Sequence, residues 1–214
     1  APVSAVIARL DAEDENVRLA AAYVLGTVGD AAAAEAILAR LDEAGGEMRA
    51  VMRESLAAMP DSSVDAMLVA ELPERTGAAR AALVEGLEAR LAFEAAPAIL
   101  PFTGDDERDV RMAALSALGE IGALDEAQAL VSALRRGVRG PERRAYARAL
   151  TRIGERLDDT APLLAVLRDA VPAAPESEAE TLVAVAAGFA TESARDYVTG
   201  LLESGDATLR EAAV

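Results

Sequence analysis

The sequence predicts an all-α fold, an α-solenoid in which antiparallel two-helix repeats stack into a superhelix. Three observations carry this prediction. A segment of about 14 residues returns at steps of 31 residues. Its apolar residues follow the 3.6-residue period of a helix. Glycines break the chain at regular intervals between these segments. A period of this length indicates a repeat architecture, because one two-helix unit cannot bury its apolar faces alone.

The first repeated segment, called A, runs from Asn16 to Gly29 and returns as Asp109 to Gly122, 93 residues later. The two intermediate copies fall at Met48-Arg49 and Ala79-Arg80, so the 93 residues contain three steps of 31. A later copy contains Arg143, and a weaker one follows. The sequence thus predicts six A helices.

The second repeated segment, called B, alternates with the first. Ser4 to Asp11 matches Glu35 to Asp42 at the same spacing of 31. Further copies begin at Met67, Leu130 and Leu163. Each repeat therefore consists of an A helix followed by a B helix.

Apolar spacing predicts which residues of the A helices are buried. In the first copy the predicted core stripe consists of Val17, Ala20, Ala21, Val24, Leu25 and Val28. The leucines predicted to occupy equivalent buried places are Leu25, Leu56, Leu87, Leu118 and Leu150. No stretch shows the sustained two-residue alternation of a strand, so no strand is predicted.

Capping residues predict where the B helices begin. Asp30, Asp125 and Asp158 or Asp159 stand where N-caps belong, because a carboxylate accepts hydrogen bonds from free N–H groups of a first helical turn. Glycines such as Gly29 and Gly122 mark the ends of A helices.

These repeats resemble the HEAT-like repeats of the phycobilisome-lyase type. The family pattern, Asp-x-x-Val-Arg-x-x-Ala-Ala-x-x-Leu-Gly-x-x-Gly, is visible at Asp106 to Gly122 and, more loosely, at Glu13 to Gly29. Pro97 and Pro162, early in B helices, are also typical of that family. The ankyrin and tetratricopeptide signatures are absent. The resemblance implies a fold and not a reaction.

We expect residues 1–214 to form a single HEAT-like array of about six repeats. The chain opens on a B segment with no A segment before it and closes within an A segment at Asp206 to Val214. This pattern is typical of incomplete repeats at both ends and favours a fragment of a longer array.

Composition removes many kinds of active site. The sequence contains no cysteine and no histidine, and all 21 basic residues are arginine. Thiolate nucleophiles, the commonest general base and lysine Schiff bases are therefore excluded. The densest acid cluster, Asp105 to Asp109, lacks the spacing of a calcium loop and fits the start of a helix better. We predict a protein that is not an enzyme and uses no cofactor and no metal.

The net charge of −16 argues against nucleic acid and anionic membranes as partners, because both require an excess of cations. Six aromatic residues are too few for a base-stacking platform. No apolar run approaches the roughly 18 residues of a membrane span, and no signal peptide opens the chain. We therefore expect a cytoplasmic protein.

Arginines are concentrated in one segment. Residues 135–156 contain eight arginines and two acids, a local charge of +6 that leaves −22 on the rest of the chain. Arg144, Arg148 and Arg152 recur at every fourth residue, so they share one side of the fifth A helix. We predict that this stripe faces solvent on the convex side and docks an acidic segment or a phosphate; the alternative is a solvated face paired with Glu120 or Asp158.

A second candidate surface is the concave groove lined by B helices. Its predicted residues, which point away from the core, include Glu35, Ala39, Gln128, Ser132 and Tyr197. Such a groove is mostly small and weakly acidic and would admit a partner helix.

The sequence therefore favours a non-catalytic scaffold that binds a protein partner along the groove or the arginine stripe. The partner's identity and the oligomeric state stay open. The family resemblance supplies an alternative, a bilin lyase or isomerase-like subunit acting on a chromophore-bearing protein.

The excess of acid predicts a salt response. Acidic surfaces with arginine but no lysine are typical of proteins from salt-rich cytoplasm, whereas a GC-rich genome would explain the missing lysine alone. Like charges destabilise the compact state at low ionic strength, and at about 1 M salt the Debye length falls to about 3 Å. On the halophile interpretation, the melting temperature rises markedly between 0.05 and about 2 M KCl, measured by circular dichroism. A flat response would favour codon bias.

Overall fold

The computed structural model describes residues 2–138 and 140–203. Arg139 and the A helix predicted at Asp206 to Val214 lie outside these ranges. The α-helices of the described part are α1 Val3–Ile7, α2 Glu15–Val28, α3 Ala31–Leu38, α4 Gly46–Ala58, α5 Ser63–Glu71, α6 Gly77–Ala89, α7 Ala96–Ile99, α8 Arg108–Ile121, α9 Leu124–Arg135, α10 Gly140–Arg156, α11 Ala161–Ala170, α12 Glu176–Gly188 and α13 Glu192–Leu202. Short 3₁₀ turns extend several of them, and the described ranges contain no strand. The predicted all-α repeat fold is confirmed.

A and B helices alternate as predicted. The first four A helices, α2, α4, α6 and α8, begin 31 residues apart, at Glu15, Gly46, Gly77 and Arg108. The fifth, α10, begins 32 residues after α8, and the sixth, α12, begins 36 residues after α10. The two-helix period is therefore regular until the connection that precedes α12.

The helices form two compact units, Ala1–Ala117 and Leu118–Val214. In the first unit α4 lies between α2 and α6, and the B helix α5 packs on α6 and on α3. In the second unit α10 packs against α9 and α12, while the B helix α11 packs against α9, α12 and α13. Within each unit, A helices therefore stack on A helices, and B helices on B helices.

The predicted core leucines are confirmed. Leu25, Leu56, Leu87, Leu118 and Leu150 are each at most 1% exposed. Burying a leucine completely contributes about 1.5–3 kcal/mol, so one such position per repeat supplies each A helix with an apolar anchor.

The predicted core stripe of the first A helix is wrong at its valines. Val17, Val24 and Val28 are 38%, 41% and 51% exposed, and Ala20 is exposed as well, whereas Ala21 and Leu25 are buried. The valines lie on the face of α2 opposite to α4. Their counterparts one repeat later include Ser55 and Met59, which are 3% and 2% exposed because α2 covers them. No A helix precedes α2 in the described part of the chain, and its outer face is therefore uncovered.

Small residues allow the A helices to approach closely. A Cβ atom added to Gly26 of α2 would lie 2.8 Å from Ser55 Cα of α4. In the second unit, a Cβ added to Gly119 would lie 3.4 Å from Ala149 Cα of α10. Gly26 and Gly119 are 93 residues apart, so they hold the same place in the repeat. Glycine at this place sets the distance between successive A helices.

An arginine in the first turn of each A helix ties the helix to the loop before it. These four residues, here called the loop arginines, are Arg18, Arg49, Arg80 and Arg111, spaced by 31. Their guanidinium groups donate to backbone carbonyl oxygens of the preceding connection, at 2.7 Å from Arg18 Nη1 to Ala12, 2.6 Å from Arg49 Nη2 to Ala44, 3.0 Å from Arg80 Nε to Leu72 and 2.7 Å from Arg111 Nη1 to Asp105. Each one satisfies carbonyl groups that the end of a helix leaves free.

The predicted N-caps are partly confirmed. The Asp30 carboxylate accepts the Ala33 N–H at 3.1 Å, as an N-cap does. Asp159 accepts the Ala161 N–H at 2.9 Å at the start of α11. Asp125 was wrong as an N-cap, because it lies within the first turn of α9, where Glu126 instead accepts the Ala123 N–H at 2.9 Å.

The close approach of the A helices can be tested with glycine substitutions. We expect Gly26→Ala to lower the free energy of unfolding by about 1–2 kcal/mol, because overpacking against the Ser55 backbone outweighs the gain in helix propensity. The matched control is Gly200→Ala in α13, where no atom lies within 4 Å of the added Cβ. That change should raise the free energy of unfolding by about 0.5–1 kcal/mol. Urea denaturation measures both, and equal effects would contradict the close packing.

Candidate functional site

The arginine stripe predicted on the fifth A helix lies on α10. Arg144, Arg148 and Arg152 are all exposed, since every fourth residue of a helix returns to the same side. Their opposite face carries the buried Ala149, Leu150 and Ile153, which hold α10 in the second unit. The packing of α10 therefore directs the three guanidinium groups towards solvent.

Of the three stripe arginines, one is paired. Arg152 forms an ion pair with Glu120, the acid that the sequence suggested as a partner. Neither Arg144 nor Arg148 has a carboxylate of a described residue within 4 Å. We call Arg144 and Arg148 the open arginines; they can bind an anion without first breaking an ion pair.

Arg156 and Arg143 have structural contacts instead. Arg156 donates to the carbonyl oxygens of Gly119 and Gly122, at 3.1 and 2.6 Å, and so caps the end of α8. Burial lowers the pKa of Arg156, although the negative charge of Glu120 acts in the opposite direction. Arg143 Nη1 lies 3.9 Å from the Glu178 carboxylate, the outer limit of an ion pair.

A cleft of about 640 Å³ adjoins the open arginines. The α10 wall and the α12 wall together contribute Gly140, Pro141, Arg143, Arg144, Ala147, Ser177, Glu180, Thr181 and Ala184. The volume falls within the roughly 300–1,000 Å³ of typical ligand sites. Arg144 and Glu180 thus carry opposite charges in one cleft without forming an ion pair.

Glu178 anchors the first turn of α12 beside this cleft. It is 4% exposed, and burial acts to raise the pKa of its carboxyl group. Hydrogen bonds from the Ser177 hydroxyl at 2.6 Å and the Val138 N–H at 3.4 Å, together with the charge of Arg143, nevertheless hold this pKa below its ordinary value. Glu178 is therefore ionised at neutral pH and offsets much of the charge of Arg143.

The residues predicted for the B-helix groove occur in both units. Glu35 and Ala39 lie exposed on α3 in the first unit. In the second unit Gln128 is exposed on α9, Ser132 is half-buried on the same helix, and Tyr197 is half-buried on α13. Within each unit, the side of the B helices that these residues line stays partly accessible.

Tyr197 carries an unusual polar group. Its hydroxyl oxygen is buried and has no hydrogen-bond partner among the described residues. Burial raises the pKa of the phenol, with Arg168 acting to lower it and Asp169 to raise it. A buried hydroxyl without a partner costs free energy, so this tyrosine is a strained point of α13.

Acidic side chains in the described ranges do not assemble a metal site, because no group of three or more potential ligands converges there. In the densest acid cluster, Asp105 accepts the Glu107 N–H at 2.8 Å and pairs with Arg80. The described helices also include none with the length and apolar character needed to cross a bilayer.

Sequence reasoning found the open arginines but missed the other wall of the cleft. Ser177, Glu180 and Thr181 were not singled out, because α12 matches the repeat only weakly. The signal was present in the spacing, since the step from α10 to α12 is 36 residues where earlier steps are 31 or 32.

Comparisons with known proteins agree with this architecture. Residues 66–151 match the family model of HEAT repeats, which confirms the resemblance seen in the sequence. A structure of the complex of CpcE and CpcF of phycocyanin lyase from Nostoc sp. PCC7120 has a similar fold, with a TM-score of 0.51 and 19% identity over 100% of this chain and 95% of that chain. An engineered protein, target OR366 of the Northeast Structural Genomics Consortium, has a TM-score of 0.41 and 15% identity over 100% and 96% of the two chains. No curated protein matches the sequence significantly.

Removing the Tyr197 hydroxyl tests its burial. We expect Tyr197→Phe to leave the free energy of unfolding unchanged or to raise it by about 1 kcal/mol, because the lost hydroxyl is buried without a partner. Urea denaturation at neutral pH measures the difference. A loss of more than about 1 kcal/mol would show that this hydroxyl donates a hydrogen bond in solution.

Proposed function

We propose that this HEAT-repeat chain is a non-catalytic scaffold that binds an acidic segment of a protein partner at the arginine face of α10. The observation that carries the proposal is the pair of open arginines, Arg144 and Arg148. They are exposed, lie one helical turn apart and border a cleft. Exposed arginines elsewhere in these repeats, such as Arg53 with Glu85 at 2.5 Å, are engaged by an acid of a neighbouring helix.

Electrostatics favour a negatively charged partner at this place. Arginine presents a planar fork of donors that binds carboxylates in bidentate geometry. The remainder of the chain is strongly acidic, so a positive patch on it orients an approaching acidic surface. Elsewhere the surface repels such a partner, which confines docking to α10.

Charge also separates a protein partner from a nucleic acid. A duplex presents its phosphates over many ångströms, and each contact requires a cation. Two open arginines on a chain of net charge −16 would gain little and would bring acidic repeats close to further phosphates. A short acidic segment needs only the local patch.

The B-helix surface is the second place where a partner would bind. Glu35 and Ala39 on α3, and Gln128 on α9, are exposed and make no hydrogen bond or ion pair that would have to be broken. Their short side chains would allow close approach of a helix. The charge of α10 gives a sharper recognition signal, so the arginine face is the primary proposal.

A lyase-like role is the competing function. The likeness to the phycocyanin lyase complex rests on 19% identity, which indicates a shared fold. The sequence contains neither histidine nor cysteine for handling a chromophore. We expect the absorbance spectrum of a bilin to stay unchanged when the purified chain is added; a shifted and intensified band would contradict the non-catalytic proposal.

The main test is the double substitution Arg144→Glu/Arg148→Glu. We expect it to abolish capture of the partner from a lysate of the source organism while the melting temperature stays within about 2 °C, because exposed unpaired side chains contribute little to stability. Arg152 is left intact, since it pairs with Glu120.

The matched control is Arg135→Glu/Arg136→Glu, which makes the same change in net charge at two exposed arginines outside the cleft. Capture should survive in this control. Retained capture by the α10 variant would move the site to the B helices, where Ala39→Arg and Ser132→Arg are the next substitutions.

A further inference from the structure

We infer that the cleft between α10 and α12 recognises a peptide segment carrying both an acidic and a basic side chain, the acid meeting the open arginines and the base meeting Glu180. The inference rests on the proposed function and specifies the partner's chemistry. It depends on three features of the cleft: a repeat arginine with a changed role, opposite charges that stay apart, and hydroxyl groups that are already engaged.

Arg143 holds the place of a loop arginine but acts differently. It lies 32 residues after Arg111, at the same point in the first turn of its A helix. The four loop arginines donate to carbonyl groups of the preceding loop, whereas Arg143 lines the cleft and approaches only Glu178. The repeat thus departs from its pattern at the helix that also carries both open arginines.

Opposite charges face one another across the cleft without pairing. Arg144 on α10 and Glu180 on α12 both line it and are both exposed, yet no ion pair joins them. A ligand with one negative and one positive group would satisfy both walls. A purely anionic ligand would instead meet the repulsion of Glu180, with Glu178 ionised nearby.

The polar groups of the cleft disfavour a phosphate. The Ser177 hydroxyl donates to Glu178 at 2.6 Å, and the Thr181 hydroxyl donates to the Ser177 carbonyl at 2.9 Å. Their hydrogens are therefore not available to phosphate oxygens. Pro141 also lacks an N–H group in the first turn of α10, where a helix would otherwise offer donors to an anion.

The size of the cleft fits a few residues of a peptide. Its volume of about 640 Å³ is too small for a folded domain and suits a short segment. Ala147 and Ala184 lie on opposite walls, and their short side chains leave space between the charged groups.

A library of random 12-residue peptides displayed on phage, selected on the full chain, tests this inference. We expect enriched peptides to combine Asp or Glu with Arg or Lys within four residues of one another. The Arg144→Glu/Arg148→Glu variant should weaken binding of a synthesised winner at least about 10-fold, and Arg135→Glu/Arg136→Glu should leave it unchanged. Glu180→Gln should weaken the same peptide by about 2- to 5-fold, the range of an exposed ion pair, and should not weaken a version whose basic residue is replaced by Gln.

The outcomes separate the inference from the proposed function. Winners that need the open arginines, but contain no basic residue and ignore Glu180→Gln, would overturn the mixed-charge inference and leave the arginine face as a docking site. Displacement of the winner by 10 mM inorganic phosphate with loss of all selectivity would do the same, indicating a simple anion site. Failure to enrich any peptide dependent on Arg144 and Arg148 would overturn both.

Discussion

The repeat depends on one interaction, the hydrogen bonds of an arginine guanidinium to the loop before its own helix. In four successive repeats Arg18, Arg49, Arg80 and Arg111 donate to carbonyl oxygens at the end of the preceding B segment. Such carbonyls have no partner within their own helix, and leaving them buried and unsatisfied is costly. A single side chain per repeat therefore fixes how each loop joins the next helix, and a spacing of 31 residues repeats the same geometry.

Close packing of the A helices adds a second constraint. Gly26 and Gly119 have no side chain, and the neighbouring helix occupies the space that a Cβ would fill. Leucines such as Leu56 and Leu118 are then fully covered by the adjacent helices. Where no A helix covers the outer face, as on α2, valines of the same pattern are exposed. Burial in a stacked repeat thus depends on the neighbour as much as on the residue.

The candidate site lies where the repeat becomes irregular. Between α10 and α12 the spacing lengthens to 36 residues, and Arg143 lines a cleft rather than binding loop carbonyls. Neighbouring arginines differ in role because their surroundings differ: Arg152 pairs with Glu120, Arg156 caps α8, and Arg144 and Arg148 stay open. The same residue type therefore serves structure at two positions and is available for binding at two others.

The sequence by itself determined the helical class, the 31-residue period, the buried leucines and the exposure of the α10 arginines, because helical periodicity and repetition are local properties. Only the tertiary structure decided which valines of α2 are covered, which arginines have an acid within reach, and that Glu180 shares a cleft with Arg144. Residues 144 and 180 are far apart in the chain, and α12 follows the repeat pattern too weakly to be placed by spacing. Their juxtaposition arises from helix packing, which no local pattern encodes.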